Sequence, residues 1–283
     1  MGQTHVLTYQ QYHTASIQAK DVDPSVIALK YIADRYELNM EQRYWIAFLY
    51  GTCYCAPTTF YMYNEFPDYI GVDVQRLSKW WKENKAKLIF QTDRQRIKSN
   101  DQFIPCFISY RKLVGRNQQQ YFQSKHWQEI YEKIEKIKYF GRFSLFNYLD
   151  VLNKITDIRL KPAYLNMIEA ESCRNGLCFA IGRPDLIKEK LTSAEARFLH
   201  NEFVHLLKHT NGNIFQVETT LCAYKKYRYG KRYVGYYINR MYNELKKIEK
   251  DVPLGVAWEA LWQFRQETFD HRHLIECKET GQS

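Results

Sequence analysis

Residues 130–152, IYEKIEKIKYFGRFSLFNYLDVL, and residues 153–178, NKITDIRLKPAYLNMIEAESCRNGLC, decide how this chain is read. The first stretch predicts a charged amphipathic helix, a tight turn at Tyr139-Phe140-Gly141-Arg142, and a second, apolar helix with Ser144 capping its first turn. Beyond that helix come Asp157, Glu169, Glu171, Ser172, Arg174 and Asn175. Two readings fit. The stretch is either two packed helices joined by a glycine turn, or a hairpin that holds a nucleic-acid phosphate beside a reactive carboxylate.

Working outward, helical signals dominate. Asp23-Pro24-Ser25 opens a helix with proline at its first position. Asn39-Met40-Glu41-Gln42 has the form of a capping box. The helix after it is apolar nearly all round (Trp45, Ile46, Phe48, Leu49, Tyr50), which predicts a place in the middle of a bundle. Pro57 breaks or kinks it. Residues 214–224 read as a helix or a short strand. No βαβ alternation, internal repeat or interdomain linker is visible. The expectation is a mostly α, helical bundle-like chain. Residues 1–23 read as a mobile arm, residues 24–275 as one helical catalytic domain or two intimate lobes, and residues 276–283 as a tail.

Composition narrows the partners. The chain has 283 residues, 45% of them apolar, enough for a real core. A net charge of +10 favours a polyanion, nucleic acid first. Tyrosine is abundant, with 23 copies, and suits base stacking as well as cores. No run approaches the length of a membrane span, and the first residues lack the pattern of a secretion signal. Seven scattered cysteines suit reduced thiols better than a disulfide framework.

Four groups of residues could carry chemistry. Lys225, Lys226, Arg228, Lys231, Arg232 and Arg240 interleave with tyrosines, and Glu244 is the one carboxylate nearby. Lysine and arginine contact phosphates, and tyrosine faces stack on bases; the plainer reading is a solvated charged face. Arg94 and Lys98 share a helical face beside Asp93, a set able to clamp a diphosphate, with Asp93 able to hold a divalent cation. Asn64, Glu65 and Asp68 follow a buried run, where a carboxylate of raised pKa could act as a base. Glu169, Glu171, Ser172, Arg174 and Asn175 sit between apolar helices, a costly arrangement unless they line a cavity. No phosphate-binding glycine loop, zinc-spaced cysteine set or HExxH is present.

Four stretches taken in order, residues 45–68 (WIAFLYGTCYCAPTTFYMYNEFPD), 90–100 (FQTDRQRIKSN), 139–152 with 171–177 (YFGRFSLFNYLDVL, ESCRNGL) and 221–240 (LCAYKKYRYGKRYVGYYINR), resemble a phage enzyme family. It is the α-glutamyl/putrescinyl-thymine pyrophosphorylase clade, also described as amino acid:DNA transferases. The resemblance implies hypermodification of thymine in phage DNA within the host cytoplasm. An amine from an amino acid or polyamine would displace pyrophosphate from 5-hydroxymethyluracil already pyrophosphorylated by another phage base-modification enzyme. It also implies distant kinship with helix-hairpin-helix DNA glycosylases, although the acid here is Glu rather than Asp and the hairpin has one glycine instead of two. The helical domain of hydroxymethyluracil DNA kinases looks similar too. On this resemblance Glu169, Glu171 and Asp93 are the expected catalytic residues. Arg94, Lys98, Arg174, Asn175, Ser172, Asn64 and Glu65 would hold substrate and pyrophosphate. Gly141 and Arg142, with the basic segment, would hold DNA. A DNA-binding module without chemistry of its own and a glycosylase acting on modified bases are the competing expectations.

Overall fold

The computed structural model describes residues 6–91, 94–123, 126–162, 165–249 and 256–268, and every α-helix below lies among them. The helices are α1 (Tyr9–Gln18), α2 (Pro24–Arg35), α3 (Met40–Cys53), α4 (Ala56–Glu65), α5 (Val74–Asn84), α6 (Gln95–Ser99), α7 (Phe103–Val114), α8 (Gln118–Tyr121), α9 (Trp127–Ile134), α10 (Arg142–Ile155), α11 (Glu171–Ala180), α12 (Ser193–His209), α13 (Ile214–Arg228), α14 (Tyr236–Glu249) and α15 (Val256–Thr268). No strand occurs among the described residues. The fold is all-α, as the periodicity predicts. The chain forms two compact units, each assembled from separated segments. Among the described residues, the larger takes those within 25–161 and 240–268, and the smaller those within 6–24 and 162–239.

The larger unit is built around α3. Asn39 caps it through the expected reciprocal box with Gln42, and every residue from Tyr44 to Cys53 is buried. The Trp45 indole donates to the Phe66 carbonyl at 2.7 Å. Phe48 stacks on Tyr110 with ring centroids 4.0 Å apart. Gly51 lets α10 come close, because a Cβ there would meet the Tyr148 and Phe140 rings at 3.1–3.2 Å. Arg43 ties the α2–α3 turn by donating to the carbonyls of Ala33 and Leu38 and to Asp34.

In the smaller unit α11 and α13 lie in very close contact. A Cβ on Gly176 would come within 2.0 Å of the Leu221 carbonyl oxygen, so glycine alone fits. Residues 9–18, expected within a mobile arm, instead form α1. Thr8 and Gln11 make a capping box, and Tyr9 and Tyr12 are buried against Tyr224. Their apolar faces are aromatic rings with polar tips, which a purely apolar pattern misses. Asp21 is also buried, and its carboxylate accepts the main-chain N–H groups of Gly235 and Ile238. The N-terminal segment thereby fastens the turn that opens α14.

The hairpin differs in detail from its prediction. α9 ends at Ile134, and residues 135–140 intervene, with Tyr139 left-handed at φ 67°. Gly141 is the N-cap of α10 and offers no side-chain cap. Ser144 is buried inside the first turn and does not cap it. Residues 214–224 lie in α13, resolving the helix-or-strand choice as helix.

Candidate functional site

In the larger unit, two of the family-like stretches meet. α3 ends on Tyr54 in the left-handed conformation, and Cys55 and Pro57 start α4 at once. This junction leaves main-chain groups that the segment at Leu88–Gln91 satisfies. Gln91 N–H donates to the Cys53 carbonyl at 2.9 Å, and Thr58 Oγ1 exchanges bonds with the main chain of Ile89. Arg94 follows, only 3% exposed. Its guanidinium lies over the Tyr54 and Phe140 rings at 4.7 and 5.1 Å and donates to the Tyr54 hydroxyl and the Tyr139 carbonyl. Among the described residues no carboxylate pairs with it. Lys98, one turn on, donates to the Leu88 carbonyl at 2.7 Å. Partial burial, with Lys247 and Lys85 nearby, holds its pKa below the usual lysine value. Lys98 and its two cationic neighbours, of which Lys85 is paired with Asp101 at 2.5 Å, form a local positive field suited to a polyphosphate.

Glu244 of α14 enters the same place from the other side. The sequence placed it as a lone acid within a basic run; the structure buries it to 5% exposure. Gln91 Nε2 donates to its Oε1. Arg240 Nε lies 3.3 Å from the same oxygen, at ion-pair distance but without hydrogen-bond alignment. Oε2 is buried with no hydrogen-bond partner. Burial raises the Glu244 pKa against the opposing pull of Arg240. Helical periodicity does carry a signal for this burial, since Met241, Glu244, Leu245 and Ile248 share one face of α14 and all four are buried.

The remaining expected residues are spread out. Asn64 is exposed, and Glu65 pairs with Arg76 at 2.6 Å on the surface. The Asp68 carboxylate accepts from the N–H groups of Ile70 and Gly71. In the smaller unit, Glu169 and Glu171 are exposed at the start of α11. Arg174 is buried and donates to the main-chain carbonyls of Ile168 at 2.7 Å and Lys188 at 3.1 Å, fixing the turn that carries Glu169. Asn175 is buried with Oδ1 unpartnered. Ser172 lies at the Cys222 thiol. Asp93 lies outside the described residues, as do the side chain of Arg142 and the tail at 276–283. Among the described residues no group of three His, Cys, Asp or Glu side chains could hold a metal ion. Burial pushes the Cys53 and Cys106 thiols up to about 12, which suits inert packing rather than nucleophilic use.

The basic segment divides by role. Tyr224 and Tyr227 stack on each other and pack, tilted, against Tyr12. Lys226, Arg228 and Lys231 are exposed and Lys225 is half-buried. Arg228 lies over Phe179, and Arg232 over Tyr236 and Tyr237. Tyr229 and Tyr233 remain 56% and 41% exposed. The smaller unit thus presents cations and solvent-exposed tyrosine rings together, with Tyr229 edge-on to Phe179 and Tyr233 to Tyr236, a combination suited to a nucleic-acid strand. No described helix is long and apolar enough to cross a membrane.

The chain is 28% identical over 296 aligned residues to a serinyltransferase of Salmonella phage ViI, covering 92% of this chain and 70% of the relative. The sequence profile of the amino acid:DNA transferases matches residues 17–233, which take in α2 to α13 and most of both units. The chain belongs to the amino acid:DNA transferase family.

Proposed function

We propose that this transferase joins an amino acid or polyamine, through its amine, to pyrophosphorylated 5-hydroxymethyluracil in phage DNA and releases pyrophosphate. The family match over residues 17–233 carries the reading. The relative's name makes serine the first amine to try. Serine offers both an amine and a hydroxyl, and the reading commits to the amine.

The residues take the following roles. Lys226, Arg228 and Lys231 neutralise DNA phosphates, and the exposed rings of Tyr229 and Tyr233 stack on bases. Gly141 and the first turn of α10 offer main-chain N–H groups to another phosphate, as a helix-hairpin-helix element would. The modified thymine leaves the base stack so that its 5-methylene carbon can be reached in line. Lys98, with Lys85 and Lys247, stabilises the departing pyrophosphate. Arg94 and its aromatic clamp keep that segment in place, and Asp93 is the residue to hold a divalent cation on the pyrophosphate if the reaction needs one. Arg174 acts from within the smaller unit, fixing the turn that carries Glu169 through the carbonyls of Ile168 and Lys188. A kinase-type reaction must act first to supply the pyrophosphorylated base.

The test is incubation with pyrophosphorylated hydroxymethyluracil DNA and pooled amino acids and polyamines, followed by nucleoside mass spectrometry. An amino-linked thymidine supports the proposal. Free base points to a glycosylase instead, and binding without product points to a DNA-binding module. A serine adduct joined through its hydroxyl would overturn the amine assignment while keeping the transfer.

A further inference from the structure

The Glu244 carboxylate is used by no step described above, and its setting is unusual for a purely structural acid. A buried carboxylate settles by gathering donors on both oxygens. Here Oε1 takes the Gln91 amide and the nearby Arg240, while Oε2 is sealed from solvent with no donor. Among the described residues the groups facing it are few. Arg240 shares its helix, Gln91 comes from the segment before Arg94, and the Cys55 and Cys53 thiols come from the α3–α4 junction. The Cys55 thiol approaches the carboxylate but makes no hydrogen bond to Oε2, and a thiol is a weak donor in any case. Arg265 of α15 sits over the Tyr242 ring at 4.1 Å. Oε2 is thus left able to accept from a cationic or N–H donor.

Gln91 links the Glu244 carboxylate, through Oε1, to the rest of the site. Its side chain holds Glu244, its main chain is fixed on Cys53, and Arg94 N–H donates to its carbonyl at 2.7 Å. An amine paired to Oε2 would lie beside the segment that carries Arg94 and Lys98.

We infer that Glu244 is the general base of the transfer, with Oε2 accepting a proton from the incoming ammonium. This inference rests on the proposed function. The ammonium gives one proton to Oε2, and the freed lone pair forms the C–N bond at the 5-methylene carbon. The C–O bond to the leaving group breaks, and its electron pair departs on pyrophosphate. One of the two protons still on nitrogen then passes to solvent. Burial suits Glu244 to this task better than an exposed acid, because a base whose pKa lies nearer that of the ammonium takes the proton more readily.

The test is the single-turnover rate against pH, from 5 to 10, for wild type, Glu244→Gln and the double variant Glu169→Gln/Glu171→Gln, with the linked nucleoside as readout. The wild-type rate should rise to a plateau once Glu244 ionises. Glu244→Gln should be about 10²–10⁴-fold slower at neutral pH. Its rate should climb tenfold per pH unit until the free amine deprotonates, at about pH 8–10. In Glu244→Ala, added formate should restore part of the rate. A wild-type profile in Glu244→Gln overturns the inference, as does loss of the acid limb in the Glu169/Glu171 variant alone. Should the Glu244 variants fail to fold by circular dichroism, wild type alone decides, using two amines whose pKa values differ by about two units. An acid limb at one pH for both amines belongs to the enzyme and supports Glu244; a limb that moves with the amine contradicts it. If wild type forms no linked nucleoside with any amine, the functional reading fails first and takes this inference with it. Product with an unchanged profile removes Glu244 alone.

Discussion

Replacing Gly176 with alanine tests the packing on which the smaller unit depends. In the middle of a helix this change normally stabilises by about 1 kcal/mol, because glycine loses more backbone freedom on folding. Here the new Cβ would lie 2.0 Å from the Leu221 carbonyl oxygen and 2.7 Å from its carbon. Both atoms are main chain inside α13, so no rotamer change relieves the overlap. The helices must separate by roughly 1 Å, which opens voids along the rest of their contact. Overpacking costs about 1–3 kcal/mol, and an immovable neighbour puts this case at the top of the range. The net loss is about 2 kcal/mol after the helical gain, or about 4–8 °C in Tm. Thermal melting followed by circular dichroism measures it. Gly51→Ala is the internal comparison, since its new Cβ meets ring atoms at 3.1–3.3 Å that can give way, so its change should stay within about 1 kcal/mol. A Gly176→Ala protein as stable as wild type, or more so, would refute the close α11–α13 approach.

Asp21→Ala removes the acceptor for two buried N–H groups and should cost about 2–4 kcal/mol in urea unfolding, with Asp21→Asn recovering part. Lys226→Ala/Lys231→Ala should weaken DNA binding about equally for all sequences and reduce the slope of log K against log salt by roughly two, measured by fluorescence anisotropy; an unchanged slope would remove this segment from the DNA contact. Glu244→Gln should also change stability with pH. Because the folded-state pKa is raised, the contribution of Glu244 is complete below the unfolded value of about 4.3 and is lost as pH rises through the folded value. The variant should match wild type in acid and exceed it at neutral and alkaline pH, by urea unfolding across pH. Equal stability at every pH would show that Glu244 is not desolvated.

Local signals carried much of the fold into the sequence. The Asn39 box and the all-round apolar α3 are written in residue type and spacing, and both stand in the structure. What the sequence concealed depends mostly on partners distant in the chain, with Ser144 the local exception. Ser144 looked like a cap because its type favours that role, but the chain enters α10 at Gly141, which places Ser144 in the interior. α1 was hidden because its buried faces are tyrosines whose partners are supplied by α13. At the site, Arg94 and Lys98 were legible as cations at helical spacing. The carboxylate beside their segment was not, because Glu244 lies more than 140 positions further on, inside a run whose charge drew attention to its exposed face. Arg174 shows the converse, since a buried arginine reads as a ligand-binding group until its carbonyl partners are seen.

The measurement that decides the account is the stoichiometry of the reaction. Pyrophosphorylated hydroxymethyluracil DNA and serine are supplied to the purified protein, and released pyrophosphate and amino-linked thymidine are quantified in the same sample. One pyrophosphate is expected for each linked nucleoside, with the new bond at the serine nitrogen. Linked nucleoside without pyrophosphate, or pyrophosphate with free base and no linked nucleoside, would contradict it.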